Sequence, residues 1–292
     1  MTPSPTIQAY FDQSTHTVTY LVVDSSTNSA AIIDPVLDYN PSTGVISDKS
    51  ARRILAAVRS EGLTLQWVLE THAHADHLSA APFFQQETGA QLVIGRYIID
   101  VQRIFSSTFN LNDVSCTGKE FDKLVDDGET FLLGNLEVAV MHTPGHTPAC
   151  VSYRIGDAVF VGDTLFTPDY GTARADFPGG DARQLYRSIQ RLLSLPADTR
   201  LFLCHDYKAP GRDHFAWETT VAEQRARNIH VHDGVSEDEF VAMREARDAS
   251  LAAPQLLLPS IQVNIRAGRL PAPENNGVSY LKIPLRPDTS LY

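Results

Sequence analysis

Residues 18–23 and 30–33 form two apolar runs, separated by the polar stretch Asp24-Ser25-Ser26-Thr27-Asn28-Ser29. This pattern predicts a β-hairpin with a long loop. Asp34-Pro35 ends the second strand, because proline brings no N–H to a ladder. Over 50–61 the apolar positions Ile54, Leu55 and Val58 recur at helical spacing, and Gly62 stops the helix. Residues 65–69 read as a short apolar strand running directly into Thr71-His72. A helix is predicted over 78–88, ended by Gly89, and a strand over 91–94. Residues 101–123 are less regular and read as an inserted, partly helical excursion.

The second half repeats the alternation. Strands are predicted over 131–133, 136–141, 150–155 and 158–161, with turns at Gly134-Asn135 and Gly156-Asp157. Residues 181–193 place Leu185, Ile189 and Leu192 on one helical face, and 200–204 is a further strand. Helices are expected over 218–227 and 237–251, and the Pro- and Asn-rich stretch from Pro254 is expected to wrap the surface. Two groups of strands with helices outside them predict an α/β (α+β) fold, an αβ/βα four-layer sandwich. The expected organisation is one domain over 1–292, with a helical and extended C-terminal extension from about 218 to 292.

Composition narrows the classes of function. The chain has 292 residues, 43% hydrophobic and 20% charged, enough to bury a core without disulfides. A formal net charge of −11 argues against nucleic acid as a partner, since phosphate contacts need a basic surface. No run approaches the roughly 20 apolar residues that span a bilayer, so no membrane partner is expected. The first 23 residues carry no Lys or Arg and include Asp12, unlike a signal or transit peptide. Cys116, Cys150 and Cys204 are far apart and odd in number, which suits a reducing compartment; the cytoplasm is the expected location.

The candidate chemistry is concentrated in His72-Ala73-His74-Ala75-Asp76-His77, four potential metal ligands in six residues between a strand and a helix. Imidazoles and carboxylates suit zinc, iron and manganese. In an extended turn His72 and His74 point the same way and can grip one ion, while Asp76 and His77 face a neighbouring position. Three later motifs each leave a further donor at a strand end. They are Thr143-Pro144-Gly145-His146-Thr147, Gly162-Asp163 and Cys204-His205-Asp206. Gly145 permits a tight turn that aims His146 inward. Cys204 is expected to be a small buried strand residue, His142 to support the His146 turn, and His230 and His232 to lie on the surface.

In this order the motifs resemble those of the metallo-β-lactamase superfamily, over roughly residues 18–207. The resemblance implies the four-layer sandwich, with the metal at the edge between the sheets. Within the superfamily the chain is most similar to the persulfide dioxygenase branch, bacterial type. That likeness is carried by Gly171-Thr172-Ala173-Arg174-Ala175-Asp176-Phe177, His205-Asp206-Tyr207 and the tail segment Leu258-Pro259-Ser260-Ile261-Gln262-Val263-Asn264-Ile265-Arg266-Ala267-Gly268.

The branch implies one Fe(II) held by His72, His146 and Asp163, with His74, Asp76, His77 and His205 around it. It also implies glutathione persulfide and O2 as substrates, sulfite and glutathione as products, and a homodimer. Arg174 and Tyr207 would lie on the substrate side, with Asp176 as structural support for Arg174. The other reading is a zinc-dependent, glyoxalase II-like thioester or lactone hydrolase, in which His74, Asp76, His77 and His205 complete two metal sites. All seven groups are present, so the donors alone do not separate the two.

Overall fold

The structure is a computed structural model and describes residues 4–285. Two six-stranded sheets face each other. The first runs in the order Thr6–Asp12, Thr17–Asp24, Ser29–Ile33, Thr64–Leu69, Gln91–Gly95, Lys123–Val125. Its first three strands are antiparallel and the remainder parallel. The second sheet runs Thr130–Leu133, Leu136–His142, Val151–Ile155, Ala158–Phe160, Arg200–Phe202, Glu218–Thr220, with only Ala158–Phe160 and Arg200–Phe202 parallel. A small third sheet joins Val45–Ser47, Val36–Asn40 and Leu78–Ser79.

The strand Thr17–Asp24 explains the layering. Every one of its residues is buried, so both faces are covered. Val18, Tyr20 and Val22 point into the space between the sheets, where they meet Val138, Tyr153, Phe160 and Phe202 of the second sheet. Leu21 and Val23 point the other way, toward Ile54, Leu55 and Val58 of the helix Lys49–Ser60 and Phe84 of the helix Ala81–Thr88. The helix Ala182–Leu193 covers the outer face of the second sheet through Leu185, Ile189 and Leu192. The result is the predicted αβ/βα sandwich.

Several expectations are corrected. Residues 78–79 are a strand, and the helix begins only at Ala81. Residues 218–220 are the edge strand of the second sheet, so the extension starts with the helix Val221–Arg227. The excursion is partly helical as expected, with the helix Ile98–Phe109 in its first part. The tail does not simply wrap the surface. Its helix Leu257–Asn264 is buried from Ser260 to Asn264, and Ile261 and Ile265 join the core under the first sheet. Proline at 254 and 259 disguised it, although proline is tolerated in a first helical turn. No helix among the described residues is long and apolar enough to cross a membrane.

Candidate metal centre

The predicted donors meet at one rim of the two sheets. His72, His74, Asp76 and His77 follow the strand Thr64–Leu69 of the first sheet. His146, Asp163 and His205 follow Leu136–His142, Ala158–Phe160 and Arg200–Phe202 of the second. Two glycines make the approach possible. Gly145 has φ +135°, and a Cβ there would lie 2.3 Å from the Leu185 backbone nitrogen. Gly162 has φ +51°, and its Cβ would lie 2.6 Å from Thr71 Oγ1. Only glycine accepts both the conformation and the proximity.

His72, His146 and Asp163 each offer a donor atom within 4.8 Å of the others. His72 Nε2 is 3.9 Å and His146 Nε2 3.7 Å from Asp163 Oδ2. Hydrogen bonds behind the rings set the tautomers. Thr71 Oγ1 donates to Asp34 Oδ2 at 2.8 Å, so His72 Nδ1–H donates to Thr71 Oγ1 at 3.0 Å. His146 Nδ1–H donates to the Arg174 carbonyl at 2.8 Å. Each ring therefore presents an unprotonated Nε2 to the centre. Burial, and then repulsion from His74, hold the His72 pKa well below that of an ordinary histidine, so the ring stays neutral and able to ligate. Asp163 remains ionised. Burial opposes this, but His205 foremost, with His72 and His146, holds its pKa well below the carboxylate range.

His74 faces a different set of partners. Its Nε2 lies 3.0 Å from Asp34 Oδ1 and 3.3 Å from Glu70 Oε2. Burial disfavours its charge, yet Asp34 and Glu70 outweigh burial and hold the pKa well above the ordinary value. Asp34 also accepts from the Thr71 amide at 2.8 Å, and its φ of +50° aims the carboxylate into the loop. His205 Nε2 lies 3.2 Å from both Asp76 Oδ2 and Asp163 Oδ1. Against burial, Asp76 and then Asp163 push its pKa up to about 9.

The donor set fits a metal ion. Among the described residues His72 Nε2, His74 Nδ1 and His77 Nε2 are buried without a hydrogen-bond partner, and Asp163 Oδ1 and His205 Nε2 face each other at 3.2 Å without forming a hydrogen bond. Buried polar atoms are almost always paired, and orphans within the His72, His146 and Asp163 triad, whose donor atoms lie within 4.8 Å of one another, are what a cation would satisfy.

A cavity of about 250 Å³ opens onto Asp76, His146 and Asp163. Phe166, Tyr170, Phe177 and Tyr207 form aromatic walls, and Arg174, Arg244 and Arg247 lie on its lining.

Residues 15–205 match the model of the metallo-beta-lactamase superfamily. The chain belongs to this superfamily. A probable metallo-hydrolase of Burkholderia pseudomallei is 53% identical over 291 residues, covering 96% of this chain and 99% of the relative. Glyoxylase B2 of Dictyostelium discoideum is 50% identical over 268 residues, covering 91% of each. The mitochondrial persulfide dioxygenase ETHE1 of Homo sapiens is 29% identical over 266 residues, covering 90% of this chain and 88% of the relative. The crystal structure of ETHE1 from Myxococcus xanthus superposes with a TM-score of 0.73 at 34% identity, covering 90% of this chain and 100% of that one. The likeness to ETHE1 supports the persulfide dioxygenase branch. The chain spans 65% of the length of the beta-lactamase hydrolase-like proteins of Xylella fastidiosa that it matches.

As a metallo-β-lactamase superfamily member, the chain brings all seven predicted donors together. The side residues divide. Arg174 points its guanidinium at Asp176, with bonds of 2.6 and 2.7 Å, and at the Ala252 carbonyl at 2.7 Å. Tyr207 lines the cavity and stacks on His205 with ring centroids 5.6 Å apart. Cys204 is buried, and its thiol donates to Asp34 at 3.6 Å. Burial and the Asp34 charge push its pKa well up, so it is no thiolate nucleophile.

His230 is not on the surface as expected. It is buried, and its Nδ1 accepts from the Thr172 amide at 3.1 Å. Arg247 was not singled out in the sequence. It is exposed at the cavity and forms no ion pair or side-chain hydrogen bond among the described residues. Its only sequence signal is a basic residue in the last turn of a helix, which many surface arginines share.

Proposed function

We propose that the chain is an iron-dependent persulfide dioxygenase that converts glutathione persulfide, O2 and water to glutathione and sulfite with release of protons. One observation carries the reading. His72, His146 and Asp163 make a compact two-His, one-carboxylate set, with donor atoms all within 4.8 Å of one another. That donor set suits non-haem Fe(II), with positions left open on one side.

Bound there, iron would supply the redox chemistry and the open coordination positions for persulfide and O2. The chain supplies orientation. Thr71 and the Arg174 carbonyl hold the two imidazoles, and the aromatic walls keep bulk water from the reacting sulfur. Arg247, without an ion-pair partner among the described residues, offers its guanidinium to a carboxylate of the glutathione carrier, and Tyr207 a hydroxyl on the same cavity lining. Arg174 acts through its backbone, with its side chain braced by Asp176.

The second reading is a zinc hydrolase of the glyoxalase II type. It is favoured by His74, Asp76 and His77, whose donor atoms also lie within 4.8 Å of one another and could hold a second ion, and by the metallo-hydrolase, hydrolase-like and glyoxylase names of the relatives near 50% identity. In that case a zinc-bound hydroxide would be the nucleophile. Metal analysis of protein purified from cells, paired with oxygen uptake, tests the two. One iron per chain and oxygen consumption on adding glutathione persulfide is the expected result. Two zinc ions per chain, with cleavage of S-lactoylglutathione and no oxygen uptake, would overturn it.

A further inference from the structure

The loop that carries His72, His74, Asp76 and His77 is buried, so its backbone groups need partners from elsewhere. Three of the hydrogen bonds they need are made by two atoms of one side chain nearly two hundred residues away. Asn264 Nδ2 donates to the His74 carbonyl at 2.8 Å and to the His77 carbonyl at 2.7 Å. Its Oδ1 accepts from the Ser79 amide at 2.9 Å. Asn264 is itself 4% exposed, and it ends the helix Leu257–Asn264.

The helix is firmly seated. Gln102 Nε2 donates to the Ile265 carbonyl at 2.9 Å, and Arg266 Nη2 donates to the Asp113 carboxylate at 2.8 and 2.9 Å. At Gly268 a Cβ would lie 2.7 Å from the Ser79 carbonyl, so tail and loop are in direct contact. The excursion of residues 101–123 thus serves as the seat of the tail, and the tail as the frame of the loop.

We propose that Asn264 is a positioning residue of the metal centre: its carboxamide fixes the His74–Ser79 backbone, and so sets the metal affinity of the site. The inference rests on the metal reading of His72, His146 and Asp163 and is independent of whether the metal is iron or zinc. Removing the carboxamide strands two carbonyls and one amide and lets the loop relax. Metal-site supports of this kind change affinity by roughly ten- to a hundredfold.

The test is titration of metal-free full-length protein with Zn(II), and anaerobically with Fe(II), in competition with a chromogenic chelator. Asn264→Ala should weaken both ions at least about tenfold. The control is Gln262→Ala, two residues away. It removes bonds to the Leu258 and Lys282 carbonyls and does not touch the loop. It should keep wild-type metal affinity while lowering the melting temperature of the metal-free protein to a similar degree.

Unchanged affinity in Asn264→Ala, or equal loss in both variants, would overturn the proposal. Wild-type protein gives a second measurement that does not depend on a variant folding. Coupling between sites is reciprocal, so adding Zn(II) should slow amide hydrogen exchange in 257–268 as well as in 72–80. Protection confined to the loop would overturn the proposal. A wild-type chain that binds neither ion overturns the metal reading, and the inference with it.

Discussion

His146 donates its Nδ1 hydrogen to the backbone carbonyl of Arg174 at 2.8 Å, while the guanidinium of Arg174 grips Asp176 and the Ala252 carbonyl. The arginine therefore bears on the metal centre through the peptide it anchors. Arg174→Ala should lower the stability of the metal-free protein by about 1–2 kcal/mol, since a bidentate pair and a backbone hydrogen bond are lost at a half-exposed site. It should also weaken metal binding. Thermal melts and metal content per chain check this. A variant with unchanged melting temperature and only a raised KM would instead make Arg174 a substrate clamp.

The two shells of histidines should separate under mutation. His146→Ala removes one of three donors and should abolish iron retention after dialysis. His205→Ala removes the ring between Asp76 and Asp163 and should leave most of the iron bound, with lowered kcat. Iron per chain, measured by elemental analysis, decides the matter. Equal loss in both variants would favour the two-metal arrangement.

Arg247 should govern affinity for the carrier. Arg247→Ala is expected to raise KM for glutathione persulfide about tenfold with little change in kcat, the pattern of a uniform binding contact. Because the side chain is exposed, the wild-type KM should also rise with salt. A variant with unchanged KM and salt dependence would remove Arg247 from substrate recognition.

His230, which is not among the donors, gives a pH dependence of its own. Burial first, then Arg244 and Arg247, push its pKa down to about 4 from the ordinary 6.5. Between those values the unfolded chain binds the proton and the folded chain does not, so stability falls as pH falls. The contribution is fully present above about pH 6.5 and is lost toward pH 4, on the order of 2 kcal/mol with allowance for partial solvent screening. Urea unfolding at a series of pH values should show this slope in the wild type, and a shallower slope in His230→Gln. Parallel slopes would exclude His230 as the source.

Much of this was legible in the chain. The strand Thr17–Asp24 could be read because burial on both faces leaves a mostly apolar run, broken only by Thr19. The donors could be read because strand-end loops gather them into short motifs. The missed features depend on contacts that leave no local pattern. The strand Thr6–Asp12 is a half-buried edge strand interrupted by Gln8, so its signal was diluted. His230 meets its partner Thr172 across 58 residues of sequence. The helix Leu257–Asn264 was obscured by its prolines, and the work of Asn264 appears only once the loop is folded beneath it.

The centre takes His72 from the first sheet and His146 and Asp163 from the second, across a long stretch of chain. During synthesis the chain emerges N-terminal part first. His72 is therefore made while its co-ligands do not yet exist, and a growing chain holding only the first half has histidines without a cage. Metallation on this account waits until synthesis has passed Asp163, a little beyond the midpoint of the 292 residues, and cells starved of the ion should accumulate the apoprotein.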